Sequence, residues 1–404
     1  MNLVIATPYL PYPGAPHGGG ADLLALIEFL RPRHAVRVLA FVDAATAPLA
    51  QALRPLVTEL RLVRPAVTLS HQLAQAWAAG RAGAWRALGR RAAGEVRAAL
   101  AAWAAAGQLD VLYCAWTEMG RWLPLAPRGA VRVLDEVDLR WRVEWAAARA
   151  RPWRWLSVWR RRQQERAYLR LAELVVVRSA RDARWLAGQG AAALVLPPVA
   201  HTRAFLNIPP ELSRPGRVLF VGALDRARNQ AAARWLVEAV WPRVRAACPS
   251  AALRLVGARP PPALLALSAR AGVTATGYVP DLAAEYAAAR VVAAPLLGEA
   301  GALNKVLDGL AAARPVVATR AANAGVGAPP AALTAADEPR AFAQAVIHLL
   351  TDDAAWARQS EAARAFARAS FDWEAAAARL EAELERRRAG KRGAGETQPG
   401  HTGG

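Results

Sequence analysis

A chain of 404 residues, 54% of them hydrophobic, is too long for one compact domain and comfortable for two α/β domains. Its two cysteines, Cys114 and Cys248, sit in apolar segments of different halves, which excludes a disulfide framework and points to a reducing compartment. The net charge of +20 is almost wholly arginine, since Lys305 and Lys391 are the only lysines; with no nucleic-acid-binding module beside it, this charge reads as coding bias or a general basic surface, and nucleic acid is not expected as the partner.

The chain opens MNLVIATPYLPYPG. Without a basic leader, and with prolines cutting the apolar run, this reads as a first strand rather than a signal peptide. Strand-length apolar runs then recur through the first half, at Leu3–Ala6, Val36–Val42, Glu59–Val63, Val111–Cys114, Val131–Leu134, Leu174–Val177 and Ala193–Leu196. The second half repeats the pattern at Arg217–Val221, Leu253–Val256, Val273–Thr276, Val291–Ala294, Pro315–Ala318 and Ala332–Thr334. Segments of helical period separate most of these runs, which predicts parallel sheets covered on both faces. The Pro-rich stretch Leu206–Pro215 between the two sets reads as a linker. Helices are predicted at Glu338–Leu350, Asp353–Ala369 and Trp373–Arg388, and the Gly-rich end Ala389–Gly404 is expected to be disordered. No apolar stretch approaches the ~18 residues that span a bilayer.

In doubly wound sheets, ligands bind at the carboxyl ends of the strands. The first such loop, Pro8–Gly20, ends in His17-Gly18-Gly19-Gly20 just before a predicted helix Ala21–Leu30. Glycines there let backbone amides approach an anion at a helix amino terminus, or simply make a flexible turn. The spacing does not match the G-x-G-x-x-G of dinucleotide binders. His17 alone among six histidines falls in a predicted cleft loop, where a ring titrating near neutrality can bond an acceptor or a sugar. Asp135, Glu136 and Asp138 follow the Val131–Leu134 strand; Asp138 reads either as a group orienting an acceptor hydroxyl or as a helix cap. Five tryptophans (141, 145, 153, 155 and 159) stand among arginines within 140–170, a mixture suited to an anionic membrane interface or to packing a helix with a wet basic face. No Asp-x-Asp follows a strand in the second half and no His/Cys cluster has zinc spacing, so no metal is expected.

The second half carries the more specific pattern. The run "FVG…NQAAARWLVEAVWP…LRLVG…TGYVPDL…VVAAPLLGEAGALNKVLDGLAAARPVVAT" resembles the donor-binding half of retaining glycosyltransferases of GT-B family 4. Within that group the chain is most similar to sugar transferases of exopolysaccharide and exosortase (PEP-CTERM) loci. "PYLPYPGAPHGGG" and "VRVLDEVDLRWRVEWAAARARPWRWLSVWRRRQQERAYLR" look like the acceptor side of the same subgroup, so the likeness runs to about Arg388. The resemblance implies two Rossmann-like domains facing a cleft. Residues 1–205 would bind the acceptor and 206–369 the nucleotide-sugar donor, with the helix 370–388 returning to the first domain.

It implies a retaining, metal-independent hexosyl transfer to a glycan or lipid-linked acceptor, in the cytoplasm or on the inner face of its membrane, with the nucleotide-sugar as substrate and no cofactor. Lys305 would neutralise the leaving diphosphate and Asp308 bind the ribose, beside Asn304 and the loop glycine Gly301, with Glu299 near the sugar. Arg226 and Arg228 would reach the phosphates from the loop after Gly222, and Gly257, Tyr278, Val279 and Pro280 would line the base pocket. The chain departs from the family pattern at Ala300 and Asp308, where many members carry glutamates, and lacks the usual Lys-Gly after the first donor-side strand. Two alternatives from other classes stay open, a nucleotide-sugar epimerase of the same architecture and a non-catalytic, degenerate GT-B binding protein.

Overall fold

The computed structural model describes residues 1–13, 18–64, 90–136, 155–198, 205–298 and 303–396. His17, Asp138, Glu299 and Gly301, and residues 140–154 of the Trp/Arg-rich stretch with Trp141, Trp145 and Trp153, lie outside these residues.

Among the described residues thirteen strands form two sheets, parallel throughout. The first holds β1 (Asn2–Thr7), β2 (Ala35–Phe41), β3 (Glu59–Val63), β4 (Val111–Ala115), β5 (Val131–Glu136), β6 (Leu174–Val177) and β7 (Ala193–Val195), in the order β3-β2-β1-β4-β5-β6-β7. The second holds β8 (Arg217–Val221), β9 (Ala252–Val256), β10 (Val273–Gly277), β11 (Val291–Ala294), β12 (Val316–Ala318) and β13 (Leu333–Ala335), in the order β10-β9-β8-β11-β12-β13. Every run expected as a strand is one, with ends moved by a residue or two. The reason is burial on both faces: runs such as VLYCA and VVAA have no polar side to present, so they fit only a covered parallel sheet.

Each sheet is a central layer between two apolar cores. Leu3, Ile5, Val38 and Val133 point to the side covered by helix α1 (Gly18–Leu30), while Val4, Leu39, Leu112 and Leu134 point to the side covered by α2 (Arg90–Ala105). Helices α3 (Trp155–Leu171) and α4 (Ala180–Ala187) follow in the first half. In the second half, α5 (Ala227–Trp235) and α6 (Trp241–Ala247) are joined by a π turn, Leu236–Val240, just before Pro242, which cannot donate within a helix. Then follow α7 (Pro262–Leu265), α8 (Leu282–Ala288), α9 (Asn304–Ala311), α10 (Arg320–Ala324), α11 (Pro339–Thr351), α12 (Asp353–Ser370) and α13 (Trp373–Glu396).

Three local expectations change. Helix α1 begins at Gly18, so Gly18, Gly19 and Gly20 form its first turn instead of a loop before it. The stretch 206–215 is packed rather than loose: Phe205 and Ile208 enter the core of the second sheet, and the Pro209 and Pro210 carbonyls accept from the buried Arg314 guanidinium at 2.8 and 2.7 Å. The end expected to be disordered is helical through Glu396. Trp373, Ala376, Ala377, Leu380 and Leu384 of α13 pack into the α1 side of the first sheet, and ion pairs extend the helix beyond Arg388. Lys391 reaches the Ala130 carbonyl at 2.7 Å and Glu173 at 2.7 Å, and Arg392 meets Asp110 at 3.1 Å. Tertiary partners outweigh the poor helix propensity of Gly390 and Gly393.

Candidate functional site

The carboxyl ends of β8, β9, β10 and β11 share one edge of the second sheet, and the loops after them carry most of the residues that the sequence singles out. Gly222 and Gly257 follow β8 and β9 and are pressed together. A Cβ on Gly257 would lie 1.7 Å from the Gly222 carbonyl oxygen, and one on Gly222 would lie 3.0 Å from the Asn229 amide. Only glycine permits this backbone contact, because the obstructing atom at Gly257 belongs to main chain that cannot swing aside. We expect Gly257→Ala to lower the melting temperature and to displace the 222–229 loop, a change readable as altered amide exchange confined to that loop.

Asn229, in the first turn of α5, donates to the Ala223 carbonyl at 2.9 Å and so fixes that loop. Its side-chain oxygen also accepts from the Lys305 Nζ at 3.3 Å. Lys305 stands in the first turn of α9, and its ammonium lies 4.2 Å from the centre of the Phe220 ring, a cation–π distance. Burial, reinforced by the positive charge of Arg228, pushes its pKa down to about 7. Lys305 therefore lies near the border between amine and ammonium at neutral pH, and an anion arriving there would draw a proton onto it.

One turn later Asp308 is buried, 4% exposed, with no hydrogen-bond partner among the described residues. Burial, and secondarily the Asp22 carboxylate, push its carboxyl well above the usual range. Asp22 belongs to α1, in the half of the chain that forms the first sheet. The other positions that the resemblance assigns to the donor are mostly open. Arg226 and Arg228 are exposed on the 222–229 loop, Tyr278 is 75% exposed after β10, Pro280 is exposed beside it, and Val279 packs inward. Asn304 is half-buried at the start of α9, and Gly298, at φ 139°, precedes the undescribed part of its loop.

The first sheet's edge is charged and dry. Asp135 and Glu136 are not in a loop after β5 but within it, both 1% exposed. Asp135 Oδ2 accepts from the Tyr113 hydroxyl at 2.7 Å and from Arg178 Nη2 at 2.9 Å. Arg178 also faces Asp22 Oδ2 at 3.7 Å. Glu136 accepts from Thr117 at 2.5 Å, and burial beside Glu165 holds its carboxyl well above the ordinary range. Asp135 and Glu136 are thus occupied within the domain. Trp116, after β4, adopts φ 69°, which is costly for a tryptophan, and its ring fills the space a Cβ on Gly19 would need, 2.6 Å away. Tyr9 meets Trp116 edge to face at 5.5 Å.

Sequence reasoning passes over Asp22, Tyr113, Arg178, Trp116 and Phe220. For Arg178 a signal exists, an arginine ending the apolar run Leu174–Val177 just where the strand reaches the cleft. Among the described residues no group of three or more His, Cys, Asp or Glu could hold a metal ion.

This arrangement is the GT-B fold. The chain superposes on sucrose-phosphate synthase from Thermosynechococcus elongatus with TM-score 0.67, at 20% identity over 96% of this chain and 99% of that one. HepE from Anabaena in complex with UDP gives 0.65, at 16% identity over 96% and 100%. S. aureus TarM, a mutant form in complex with Fondaparinux, alpha-GlcNAc-glycerol and UDP, gives 0.66, at 8% identity over 95% and 100%. Residues 215–352, which contain Gly222, Gly257, Tyr278, Lys305 and Asp308, match the model of the family described as Glycosyl transferases group 1. No curated protein matches the sequence.

Proposed function

We propose that the protein is a retaining glycosyltransferase that moves a hexosyl group from a nucleotide-sugar donor to a hydroxyl of a glycan or lipid-linked acceptor, without a metal ion. The observation that carries this reading is Lys305, a buried, nearly neutral amine on the first turn of α9, between Phe220 and Asn229 and inside the segment that matches the family. Cleavage of a glycosyl diphosphate leaves negative charge on a phosphate oxygen. A preorganised cation in a dry site stabilises that charge without solvent having to reorganise.

Around it, Asp308 accepts from the ribose hydroxyls. Having no hydrogen-bond partner among the described residues suits a group that meets its donors in the ligand. Gly222 and Gly257 keep the phosphate-side wall free of side chains, and Arg226 and Arg228 supply exposed positive charge. Tyr278, Val279 and Pro280 border the base, and the first turn of α1, with Gly18–Gly20, offers backbone amides to the acceptor or a phosphate. His17, Asp138, Glu299 and Gly301 keep the roles the resemblance assigns them. HepE has been solved with UDP, with UDP and glucose, and with UDP-glucose, which makes uridine donors the first to try.

The test is a binding screen of UDP-, GDP-, ADP- and TDP-sugars, followed by product analysis with and without polyol acceptors. Saturable binding of one nucleotide class and a new α- or β-glycoside of retained configuration support the reading. An isomerised sugar formed without acceptor would make the protein an epimerase. Absence of any binding by the folded protein would leave a degenerate GT-B binding protein.

The acceptor class and a place on the cytoplasmic membrane face rest on α3. Its first turns expose Trp155, Leu156 and Trp159, the last two by 58% and 51%, next to the exposed Arg160. No helix among the described residues is long and apolar enough to cross a membrane. Indole rings beside guanidinium groups suit the headgroup layer of an anionic bilayer, and a role in exopolysaccharide assembly would supply lipid-linked acceptors there. The protein is expected to sediment with phosphatidylglycerol vesicles. Changing Trp155, Leu156 and Trp159 together to alanine should lower that binding about tenfold or more, by loss of apolar insertion.

A further inference from the structure

Asn229 stands in the first turn of α5, yet its side chain serves two other elements at once. A carboxamide has one end that only donates and one that only accepts. The Asn229 Nδ2 donates to the Ala223 carbonyl, in the loop after β8, at 2.9 Å, and its Oδ1 accepts from the Lys305 Nζ, on α9, at 3.3 Å. The two partners fix the amide's orientation, because a carbonyl cannot donate and an ammonium cannot accept. The amide is also held from the side. A Cβ on Gly222 would lie 3.0 Å from it, and one on Gly257 would meet the Gly222 carbonyl oxygen at 1.7 Å. The loops after β8 and β9 are thus stacked against Asn229 with no room for a side chain between them.

The loop after β8 has other supports. The Gly222 and Leu224 amides donate to the Val256 and Ala258 carbonyls at 3.0 and 3.1 Å. Gln230 donates to the Leu224 carbonyl at 3.0 Å, and Arg259 Nε donates to Asp225 at 2.8 Å. Lys305, by contrast, donates from its side chain to Asn229 alone among the described residues. The Phe220 ring, its centre 4.2 Å from the nitrogen, attracts the charge without singling out any one of its hydrogens. What Asn229 adds is a direction for the ammonium more than a shape for the loop.

We propose that Asn229 is a positioning residue for donor binding, holding the Lys305 head in register with the loop that carries Arg226 and Arg228, so that a diphosphate meets basic groups already aligned. The inference rests on the proposed donor site. The chemistry explains why an amide stands there. A carboxylate would bond the ammonium but neutralise it and repel the diphosphate. An aliphatic side chain would leave a point charge on a flexible four-carbon stem, to be ordered only when the ligand arrives. A neutral acceptor orients the charge and leaves it for the ligand.

The experiment measures affinity by calorimetry for UDP-glucose, or for the donor that the screen of nucleotide-sugars selects in its place. The proteins are the wild type, Asn229→Ala and Gln230→Ala, each alone and combined with Lys305→Met, with melting temperatures alongside. Asn229→Ala should weaken binding about three- to tenfold where Lys305 is present, and less than about twofold where methionine replaces it, because nothing is then left to orient. Gln230→Ala takes a bond from the same loop without touching Lys305, so its effect should be equal in both backgrounds. Should alanine at 229 fail to fold, Asn229→Ser, with a hydroxyl too short to reach Lys305, serves in the same cycle. Lys305 and Lys391 are the only lysines, so 15N-lysine labelling gives two side-chain signals. Asn229→Ala should move the Lys305 signal and leave that of Lys391 in place. Equal losses from Asn229→Ala in both backgrounds, or a Lys305 signal that does not move, would overturn the proposal and make Asn229 a support of the loop. A wild type that binds no nucleotide-sugar would sink the donor site together with the proposal, whereas either of the former results would sink the proposal alone.

Discussion

Lys305→Met is expected to leave the ligand-free protein as stable as the wild type or more so, while turnover with the proposed sugar donor falls by about 10²–10³-fold. The two effects have one cause. The wild-type ammonium is buried against Phe220 with a single hydrogen bond to Asn229, so the charged form is held at a cost, and its pKa is pushed down to about 7. The sign follows from proton counts. Between about pH 7 and the ordinary lysine value, the unfolded chain binds the proton and the folded chain does not, so the stability of the ligand-free wild type rises with pH through that window. Methionine has a similar shape and no charge, so this rise should vanish from its melting curves. Donor binding reverses the balance, because a diphosphate beside Lys305 restores the proton. Calorimetry in buffers of different ionisation enthalpy should therefore show uptake approaching one proton at about pH 8 for the wild type and none through this residue in the variant. A variant that lost stability together with activity would make Lys305 part of the core instead of the donor site.

Arg314→Ala is expected to cost about 3–5 kcal/mol of folding stability, with the donor residues themselves untouched. Arg314 is completely buried, yet its guanidinium makes no ion pair among the described residues. It donates to three backbone carbonyls, those of Tyr286 at 3.0 Å, Pro210 at 2.7 Å and Pro209 at 2.8 Å. Burial, with Arg364 nearby, lowers its pKa to about 10, so the charge itself is not what stabilises the fold. Its value lies in giving a strong donor to carbonyls that otherwise accept only from one turn amide each, those of Ala289, Ser213 and Leu212. It does so where the connecting strand passes onto the second domain. Alanine would remove all three bonds at once and open a cavity beside Phe205 and Tyr286, whose rings pack at 5.0 Å. A fall of about 10 °C in the melting temperature is expected, and Arg314→Lys should recover little of it, since one ammonium cannot reach three carbonyls in a forked arrangement. A melting curve unchanged by alanine would show that water replaces the guanidinium there.

The same residue shows where sequence reading stops. "Arg314-Pro315" reads as the lead-in to a strand, one arginine among many. Nothing in its neighbours signals that it closes onto a chain segment about a hundred positions earlier. The Pro-rich stretch reads as a free linker for the complementary reason, because prolines announce the lack of backbone donors but not whether a side chain elsewhere supplies them. The Gly-rich end misleads similarly. Lys391 and Arg392 find Glu173, Asp110 and the Ala130 carbonyl only once α13 has crossed to the first sheet.

The sequence by itself determined the two sheets, their parallel strands and the loops to search. Runs without a polar face can be buried only between two layers, and that constraint is local and periodic. The chain's resemblance to GT-B family 4 also singled out Lys305 and Asp308, which stand three residues apart and so share one face of a helix. Only the tertiary structure decided that the lysine is nearly neutral and that the aspartate is buried without a hydrogen-bond partner among the described residues, since burial depends on which ring and which helix close over a side chain. It likewise decided that Arg178 meets both Asp22 and Asp135 while Tyr113 donates to Asp135. That cluster draws on α1, β4, β5 and the end of β6, and the chain brings them together only by folding.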